Sequence, residues 1–113
     1  MATSEVARLT LLAENIPPQM VRRVEIQEIT FGPGQKAPLH RHPCPVIGLV
    51  LEGEILYQIE GQAAKTLKSG EAFYEPQNMR IAHFDNASDK APMRFIACYL
   101  VDAESQRIEL LEC

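Results

Sequence analysis

Two of the three histidines in this 113-residue chain form the pair His40-x-His42. On a β-strand, residues i and i+2 point to the same side of the sheet, so both imidazole rings would face one space, with Cα atoms about 7 Å apart. That geometry can place two ring nitrogens on one metal ion. A His-x-His pair also occurs in polar loops that bind nothing, so the surrounding sequence must decide between the two interpretations.

The elements that would position this pair are predicted to be short β-strands. From Gly53 onward, turn signals rich in Gly, Pro, Asn and Asp recur about every eight or nine residues, a spacing typical of antiparallel sandwiches and barrels. Ile55, Tyr57 and Ile59 alternate with other residues at period two, which predicts a strand with one apolar face.

Two further segments have strand patterns of their own. Residues 94–101 are rich in β-formers on both faces, which predicts a central strand. In residues 24–31 the apolar parity changes between Ile26 and Ile29, which predicts a β-bulge there. The first dozen residues fit a helix and a strand equally well.

Composition bounds the possible partners and the compartment. The chain has 46% hydrophobic and 23% charged residues, and 11 basic against 15 acidic residues give a net charge of −4. We therefore expect one folded domain and no nucleic-acid partner. The longest apolar stretch, residues 46–51, is too short for a membrane span, and no secretory signal is expected. Three cysteines, an odd number, favour a reducing, cytoplasmic location.

The glycines, histidines and proline around the His-x-His pair carry a family resemblance. The chain resembles the cupin superfamily, whose first motif reads Gly-x5-His-x-His-x3 or 4-Glu-x6-Gly and whose second reads Gly-x5-Pro-x-Gly-x2-His-x3-Asn. The matching positions are Gly34, His40, His42, Gly53, Gly70 and Pro76. The resemblance covers about residues 24–101 and implies that residues 1–113 form a single all-β cupin domain, a jelly-roll barrel also called a double-stranded β-helix.

Two ligand positions of the family motifs carry other residues here. Counting back from Gly53, the family's glutamate falls on Val46 or Ile47, and both are aliphatic. The second-motif histidine falls on Ile81, with His83 two residues later. Either the preceding turn has changed length and His83 takes the ligand position, or Ile81 fills it. Residues 81 and 83 share a face under strand parity, so we expect a three-histidine metal site of His40, His42 and His83.

The resemblance and the donor set imply a cofactor and two kinds of function. Three neutral imidazoles with open positions suit one divalent transition-metal ion, either Fe, Ni, Cu or Zn. The first expected function is a metal-dependent enzyme acting on a small organic molecule, such as a dioxygenase, with isomerisation or decarboxylation as related reactions. The alternative is a non-catalytic barrel that binds or senses a small molecule with a degenerate metal site. Val46 and Ile81 favour the alternative, whereas the histidines favour the enzyme.

Four other residues have weaker predictions. Tyr57 lies on the inward face of its strand, so it is either a pocket residue that donates a hydrogen bond to a ligand or a core tyrosine. Cys44 continues the parity of the histidines, but flanking prolines favour an irregular rim loop over a thiolate ligand. Glu75 and Asp85 are the nearest further carboxylates, and we expect both to be solvated.

The strand that follows the histidines also carries an apolar surface. Ile47, Leu49 and Leu51 lie on the face opposite to the one that the barrel interior would use. Small cupins often pair through their sheets, so the resemblance, together with this apolar face, implies a homodimer.

Overall fold

The strands follow one another closely from Arg23 onward. The computed structural model describes residues 5–102 and 109–110. Its strands are β1 (Arg23–Phe31), β2 (His40–Arg41), β3 (Val46–Glu52), β4 (Glu54–Ile59), β5 (Lys65–Lys68), β6 (Ala72–Glu75), β7 (Ile81–Asn86), β8 (Met93–Val101) and β9 (Glu109–Leu110). Within those residues, no helix is long and apolar enough to cross a membrane.

The strands form two antiparallel sheets. One has the order β1-β8-β3-β6 and the other the order β5-β4-β7-β2-β9. Consecutive strands such as β3 and β4 lie in different sheets, so the chain crosses repeatedly from one sheet to the other. This arrangement confirms the predicted all-β, double-stranded β-helix fold.

The inward residues of the strands follow the predicted alternation. Ile55 and Tyr57 of β4 are fully buried, and β8 lies between β1 and β3 as a central strand. The core joins the two sheets through aromatic rings. The closest pair is Phe84 of β7 with Phe95 of β8, whose ring centroids lie 4.9 Å apart in an edge-to-face arrangement.

The β-bulge predicted in β1 is absent, so that prediction is wrong. All nine residues of β1 pair with β8 in unbroken register, from Arg23 with Val101 to Phe31 with Met93. The parity of the apolar residues changes because Ile26 faces out of the barrel, where it is 68% exposed, while Ile29 packs against the core. An apolar residue on the outer face produced the same pattern that a bulge would.

A bulge occurs instead in β7, where it was not predicted. Gln58 of β4 pairs with His83, but the next residue, Ile59, pairs with Ile81. Ala82 is therefore an extra residue in β7. Because of this extra residue, the alternation of inward and outward side chains shifts by one position between Ile81 and His83. Ile81 and Phe84 both face the core as a result, and His83 lies on the opposite face with Gln58.

Candidate functional site

His40 and His42 lie at one end of the barrel, and both are buried. His40 belongs to β2 and pairs with Ile81 of β7, while His42 follows directly after the strand. Nδ1 of His40 lies 2.8 Å from the carbonyl oxygen of Pro38. A carbonyl can only accept a hydrogen bond, so Nδ1 carries the proton, and Nε2 of the neutral ring presents a lone pair.

The third member of the cluster is Glu75, the last residue of β6, which is also buried. One of its carboxylate oxygens, Oε2, lies 3.0 Å from Nε2 of His42. The other, Oε1, lies 3.5 Å from Nε2 of His40. Glu75 was not predicted as a site residue, and the expectation that it is solvated is wrong. Asp85 is likewise buried, with its carboxylate beside His83.

The register of the sheet explains where this carboxylate comes from. Glu75 of β6 is directly opposite Val46 of β3, the position at which the cupin motif has its glutamate. Cβ atoms of directly opposite residues lie about 5 Å apart, so a carboxylate at either position reaches the same space. The carboxylate missing from β3 is therefore supplied by the neighbouring strand.

One oxygen of the cluster has no partner. Oε1 of Glu75 is buried and receives no hydrogen bond from any residue that the structure describes. It lies 3.5 Å from Nε2 of His40, which presents a lone pair when the ring is neutral. A buried carboxylate oxygen without a hydrogen bond is costly, and binding of an ion is one of the usual reasons that such an oxygen is retained. A cation between the two electron-rich atoms would remove that cost.

The separations fit a single metal ion. Nε2 of each histidine and the Glu75 carboxylate supply ligand atoms that all lie within 4.8 Å of one another. Two ligand atoms, each about 2.1 Å from an ion, are about 3.0 Å apart at a right angle and about 3.4 Å apart at a tetrahedral angle. Each Glu75 oxygen has one such contact, 3.0 Å from Oε2 to Nε2 of His42 and 3.5 Å from Oε1 to Nε2 of His40, and both distances are close to these values.

Glu75 is ionised despite its burial. Desolvation acts to raise the pKa of Glu75, but hydrogen bonds from the protonated rings of His40 and His42, together with the positive charge of those rings, act more strongly and hold the pKa below its usual range. A metal ion bound to the neutral rings would supply this positive charge in place of the protons. The site therefore has one negative charge and two imidazoles, which is the donor set of a metal centre.

The structure does not bring His83 to this cluster. The β7 bulge turns its side chain to the outer face, where it is 45% exposed and its Nδ1 lies 2.9 Å from Oδ2 of Asp85. Ile81 fills the second-motif position and is buried beside His40. The sequence argument assumed that residues 81 and 83 point to the same face of a regular strand. That assumption fails because Ala82 is an extra residue. The role of His83 as a ligand remains a prediction, and a variant tests it below.

Tyr57 and Cys44 lie in the core. The Tyr57 hydroxyl donates a hydrogen bond of 2.6 Å to the carbonyl oxygen of Tyr74, and burial is the main reason that its pKa is raised. It is not among the residues that line the cavity beside the histidines. Cys44 is a buried cysteine that packs in the hydrophobic core. Tyr57 thus has the position that the core-tyrosine interpretation predicts.

A cavity of about 320 Å³ opens beside the cluster. His40, His42 and Glu75 form its polar end, together with Tyr99, whose ring centroid lies 5.8 Å from that of His42. The other walls are largely apolar and comprise Ile29, Phe31, Ala37, Pro38, Phe84, Phe95 and Ala97, with Gln35 and Lys36 also in the lining. This volume lies at the lower end of the roughly 300–1,000 Å³ that is typical of ligand pockets, which suits one small organic ligand.

The turn between β6 and β7 holds His42 in place through Asn78. The N–H of Asn78 donates a hydrogen bond of 2.8 Å to the carbonyl oxygen of His42. Asn78 has φ of 61°, and it occupies the position at which the second cupin motif has glycine. Asparagine is one of the few non-glycine residues that adopt this left-handed conformation readily.

Substitutions of Asn78 test this conformation. We expect Asn78→Gly to leave the melting temperature nearly unchanged, because glycine adopts positive φ freely. Asn78→Val should destabilise the fold by about 1–2 kcal/mol, because a β-branched residue is disfavoured there. Thermal unfolding followed by circular dichroism measures both. Equal melting temperatures for the two variants would show that the turn relaxes and that Asn78 does not position His42.

The fold and the cluster together define a class of protein: a small double-stranded β-helix with a buried His-His-carboxylate cluster that has the geometry of a mononuclear metal site. The chain belongs to the Cupin domain family, whose profile matches residues 27–99.

Among individual relatives, auxin-binding protein 5 of Zea mays is 32% identical over 72 residues, which are 64% of this chain and 43% of that protein. The chain therefore spans less than half of the length of this relative. A cupin-like protein of Thermotoga maritima has a TM-score of 0.67 and 26% identity, covering 78% of this chain and 64% of that chain. Oxalate oxidase in complex with the substrate analogue glycolate has a TM-score of 0.65 and 24% identity, covering 78% and 46%.

Proposed function

We propose that this cupin binds one divalent transition-metal ion through Nε2 of His40, Nε2 of His42 and the carboxylate of Glu75. The observation that carries the proposal is the buried, unpartnered oxygen of Glu75 facing the lone pair of His40. Two histidines and one carboxylate are the donor set of both non-haem iron(II) sites and catalytic zinc sites. Both leave coordination positions open for a ligand.

The net charge of the site with a metal ion bound determines which polar group of a ligand would bind there. A divalent ion with one carboxylate and two neutral imidazoles has a net charge of +1, so a monoanion such as a carboxylate would neutralise it. Tyr99 lines the same polar end of the cavity, with its ring centroid 5.8 Å from that of His42. Lys36 lines the cavity as well and adds a second positive charge.

The apolar side chains that line the cavity determine the character of the rest of the ligand. Phe31, Phe84 and Phe95 contact one another edge to face and line the cavity. We therefore propose a small organic acid with an apolar or aromatic body, whose acid group lies at the metal and whose body packs on these rings. That the matched maize relatives are named for binding auxin supports a small-molecule ligand here.

An oxygen-dependent reaction on this acid is the first candidate activity. When bound, the metal would supply Lewis acidity and, if it is iron, a site for oxygen chemistry. The protein's own residues would hold the acid group beside His40 and His42, while the phenylalanine walls exclude water from the ligand's body.

Binding without catalysis is the second candidate, and the cavity lining supports it. Apart from the three proposed metal ligands, the cavity-lining residues that the structure describes include no carboxylate or histidine. A general base for proton transfer would therefore have to be the metal centre itself, Lys36 or Tyr99. A carrier or sensor needs no such base.

Calorimetry on zinc-loaded protein tests the ligand class. Burying a phenyl ring of about 100 Å² contributes about 2.5 kcal/mol, so we expect phenylacetate to bind about 70-fold more tightly than acetate. Oxalate should gain nothing from the apolar walls. Ala97→Leu would fill part of the cavity and should remove the preference for phenylacetate while the metal content stays at about one per chain.

The possible outcomes test the proposed metal site and the proposed ligand class separately. Equal affinities for acetate and phenylacetate would overturn the ligand class and leave the metal site standing, whereas protein that takes up no metal would overturn both. Oxygen consumption by iron-loaded protein with a bound acid then distinguishes an enzyme from a binding protein.

A further inference from the structure

Glu75 lies at the end of an edge strand. Strand β6 is the last strand of the four-stranded sheet, and within the described part of the chain it pairs only with β3. Pro76 follows Glu75 directly and has no N–H group, so the hydrogen-bond ladder does not continue through it. The carboxylate of the proposed metal site therefore depends on a strand end that has a neighbouring strand on one side only.

The backbone carbonyl group of Tyr74 points away from that neighbouring strand. The N–H of Val50 donates a hydrogen bond of 2.9 Å to the carbonyl oxygen of Glu71. Residue pairs of an antiparallel ladder alternate between bonded and non-bonded, and Ile47 with Tyr74 is the third pair further along this ladder. It is therefore a non-bonded pair, and the carbonyl of Tyr74 needs a partner on the side that β3 does not reach.

Tyr57 supplies this partner from the other sheet. It lies on β4 and is 1% exposed, and its hydroxyl donates a hydrogen bond of 2.6 Å to the carbonyl oxygen of Tyr74. The ring of Tyr57 contacts the rings of Phe73 and Phe84, at centroid distances of 6.4 Å and 5.9 Å. Because these rings are packed in the core, the hydroxyl has a fixed position from which it holds the end of β6.

The hydrogen bond acts on a rigid unit that includes the Cα atom of Glu75. The carbonyl group of Tyr74 and this Cα atom belong to one planar peptide group. On its other side, Glu75 pairs with Val46 of β3. The Cα atom is thus held from two sheets, which fixes the direction in which the carboxylate extends toward His40 and His42.

The hydroxyl of Tyr57 keeps its proton beside the ionised carboxylate. Burial is the main reason that the pKa of Tyr57 is raised, and the negative charge of Glu75 is the next. The hydroxyl therefore remains a donor. A phenylalanine at this position would fill nearly the same space but would leave the carbonyl of Tyr74 without its hydrogen bond.

We infer that Tyr57 is a positioning residue of the metal site, whose hydroxyl holds the peptide group before Glu75 so that the carboxylate converges with the two histidines. The inference rests on the metal site proposed above. It assigns the hydroxyl a role outside the cavity, which Tyr57 does not line. Loss of a group that only orients a metal ligand typically lowers metal affinity 10–100-fold, and we expect about tenfold here because Tyr57 acts through the backbone.

Zinc titration of the whole chain against a competing chelator tests the inference. Tyr57→Phe should bind zinc about tenfold more weakly than the unaltered protein. Tyr74→Phe, which removes a hydroxyl group from β6 itself, should keep the affinity of the unaltered protein. Ile55→Val, at a fully buried position of β4, should lower the melting temperature but not the zinc affinity. Circular dichroism checks that each variant is folded.

A double-mutant cycle shows whether Tyr57 acts through Glu75. Adding Tyr57→Phe to Glu75→Gln should lower the affinity no further, whereas adding it to His42→Ala should lower it about tenfold again. The visible absorption of bound cobalt(II), which depends on the coordination geometry of the ion, gives a second measurement. Tyr57→Phe should change this spectrum, and Ile55→Val should not.

Three outcomes contradict the inference in different ways. If Tyr57→Phe keeps its zinc affinity and cobalt spectrum while Glu75→Gln loses affinity, the inference is wrong and the metal site stands. If Ile55→Val loses as much affinity as Tyr57→Phe, a loosened core explains both, and the hydroxyl has no positioning role. If the unaltered protein binds no metal, the proposed function is wrong as well.

Discussion

Glu75→Gln should lower metal affinity by at least about 100-fold. Glutamine has nearly the same shape as glutamate but lacks the charge, so the change removes the anionic ligand and leaves the packing of β6 in place. Loss of partners that only orient metal ligands typically costs 10–100-fold, and loss of a ligand itself should exceed that range. The same loss is expected for His40→Ala and His42→Ala, because each supplies one of the three converging atoms.

Elemental analysis of untagged protein, with titration of zinc and iron(II), measures this effect. His83→Ala is the matched control, because His83 has its side chain on the outer face beside Asp85. We expect it to keep about one metal per chain. Metal lost in His83→Ala but retained in Glu75→Gln would reverse the assignment, in favour of the three-histidine site that the sequence predicts.

The fold was predictable because its signals are local. Regularly spaced turns and the alternation of Ile55 and Tyr57 report strand ends and strand faces directly. The two errors concern features that depend on a neighbouring strand. Ile26 looked like evidence for a bulge because nothing in the sequence shows that its outer face is apolar. Ala82 gave no sign of a bulge because the pairing of β4 with β7 determines it.

Two of the three cluster residues were predictable for the same reason. His40 lies in β2 and His42 directly after it, two positions apart in extended chain, so their shared direction follows from strand parity. Glu75 is 33 positions beyond His42 in the chain, and its proximity depends on the register that pairs it with Val46. One signal was present in retrospect: a carboxylate missing from position 46 suggests looking for another at the end of a neighbouring strand.

The exchange between positions 46 and 75 has a physical consequence for the site. A glutamate on β3 would occupy the same strand that carries Ile47 and Leu49 on the outer face, whereas Glu75 comes at the end of β6, directly before Pro76. Val46 in turn is completely buried and adds apolar surface to the core. The cluster thus keeps a carboxylate, which comes from β6 instead of β3. The inner face of β3 is then wholly apolar.

Gly48→Ala should destabilise the protein by about 3 kcal/mol, at the upper end of the usual cost of overpacking a core. Gly48 lies on β3 between Ala97 and Phe73. A Cβ atom there would be 2.0 Å from Cζ of Phe73 and 2.6 Å from the backbone oxygen of Ile96. Both distances are far below contact distance, so either the ring or the backbone of β8 must move.

Neither movement is easy, which is why a single methyl group should have this effect. The Phe73 ring is buried against the rings of Tyr57, Phe84 and Phe95. Closely packed interiors transmit such a displacement to their neighbours, and two of these rings line the cavity. We therefore expect the melting temperature to fall by roughly 10–20 °C and the affinity for phenylacetate to fall with it.

Gly32→Ala is the matched control, since the nearest atom to a Cβ at that position is the flexible side-chain end of Gln35, at 3.8 Å. Thermal unfolding of the three proteins makes the comparison, and Gly32→Ala should melt within a few degrees of the unaltered chain. A similar melting temperature for Gly48→Ala would mean that Phe73 can leave its place without loss. In that case the aromatic wall of the cavity would not be held rigidly by the packing of β3, and the proposed preference for a ring-bearing acid would lose its structural basis.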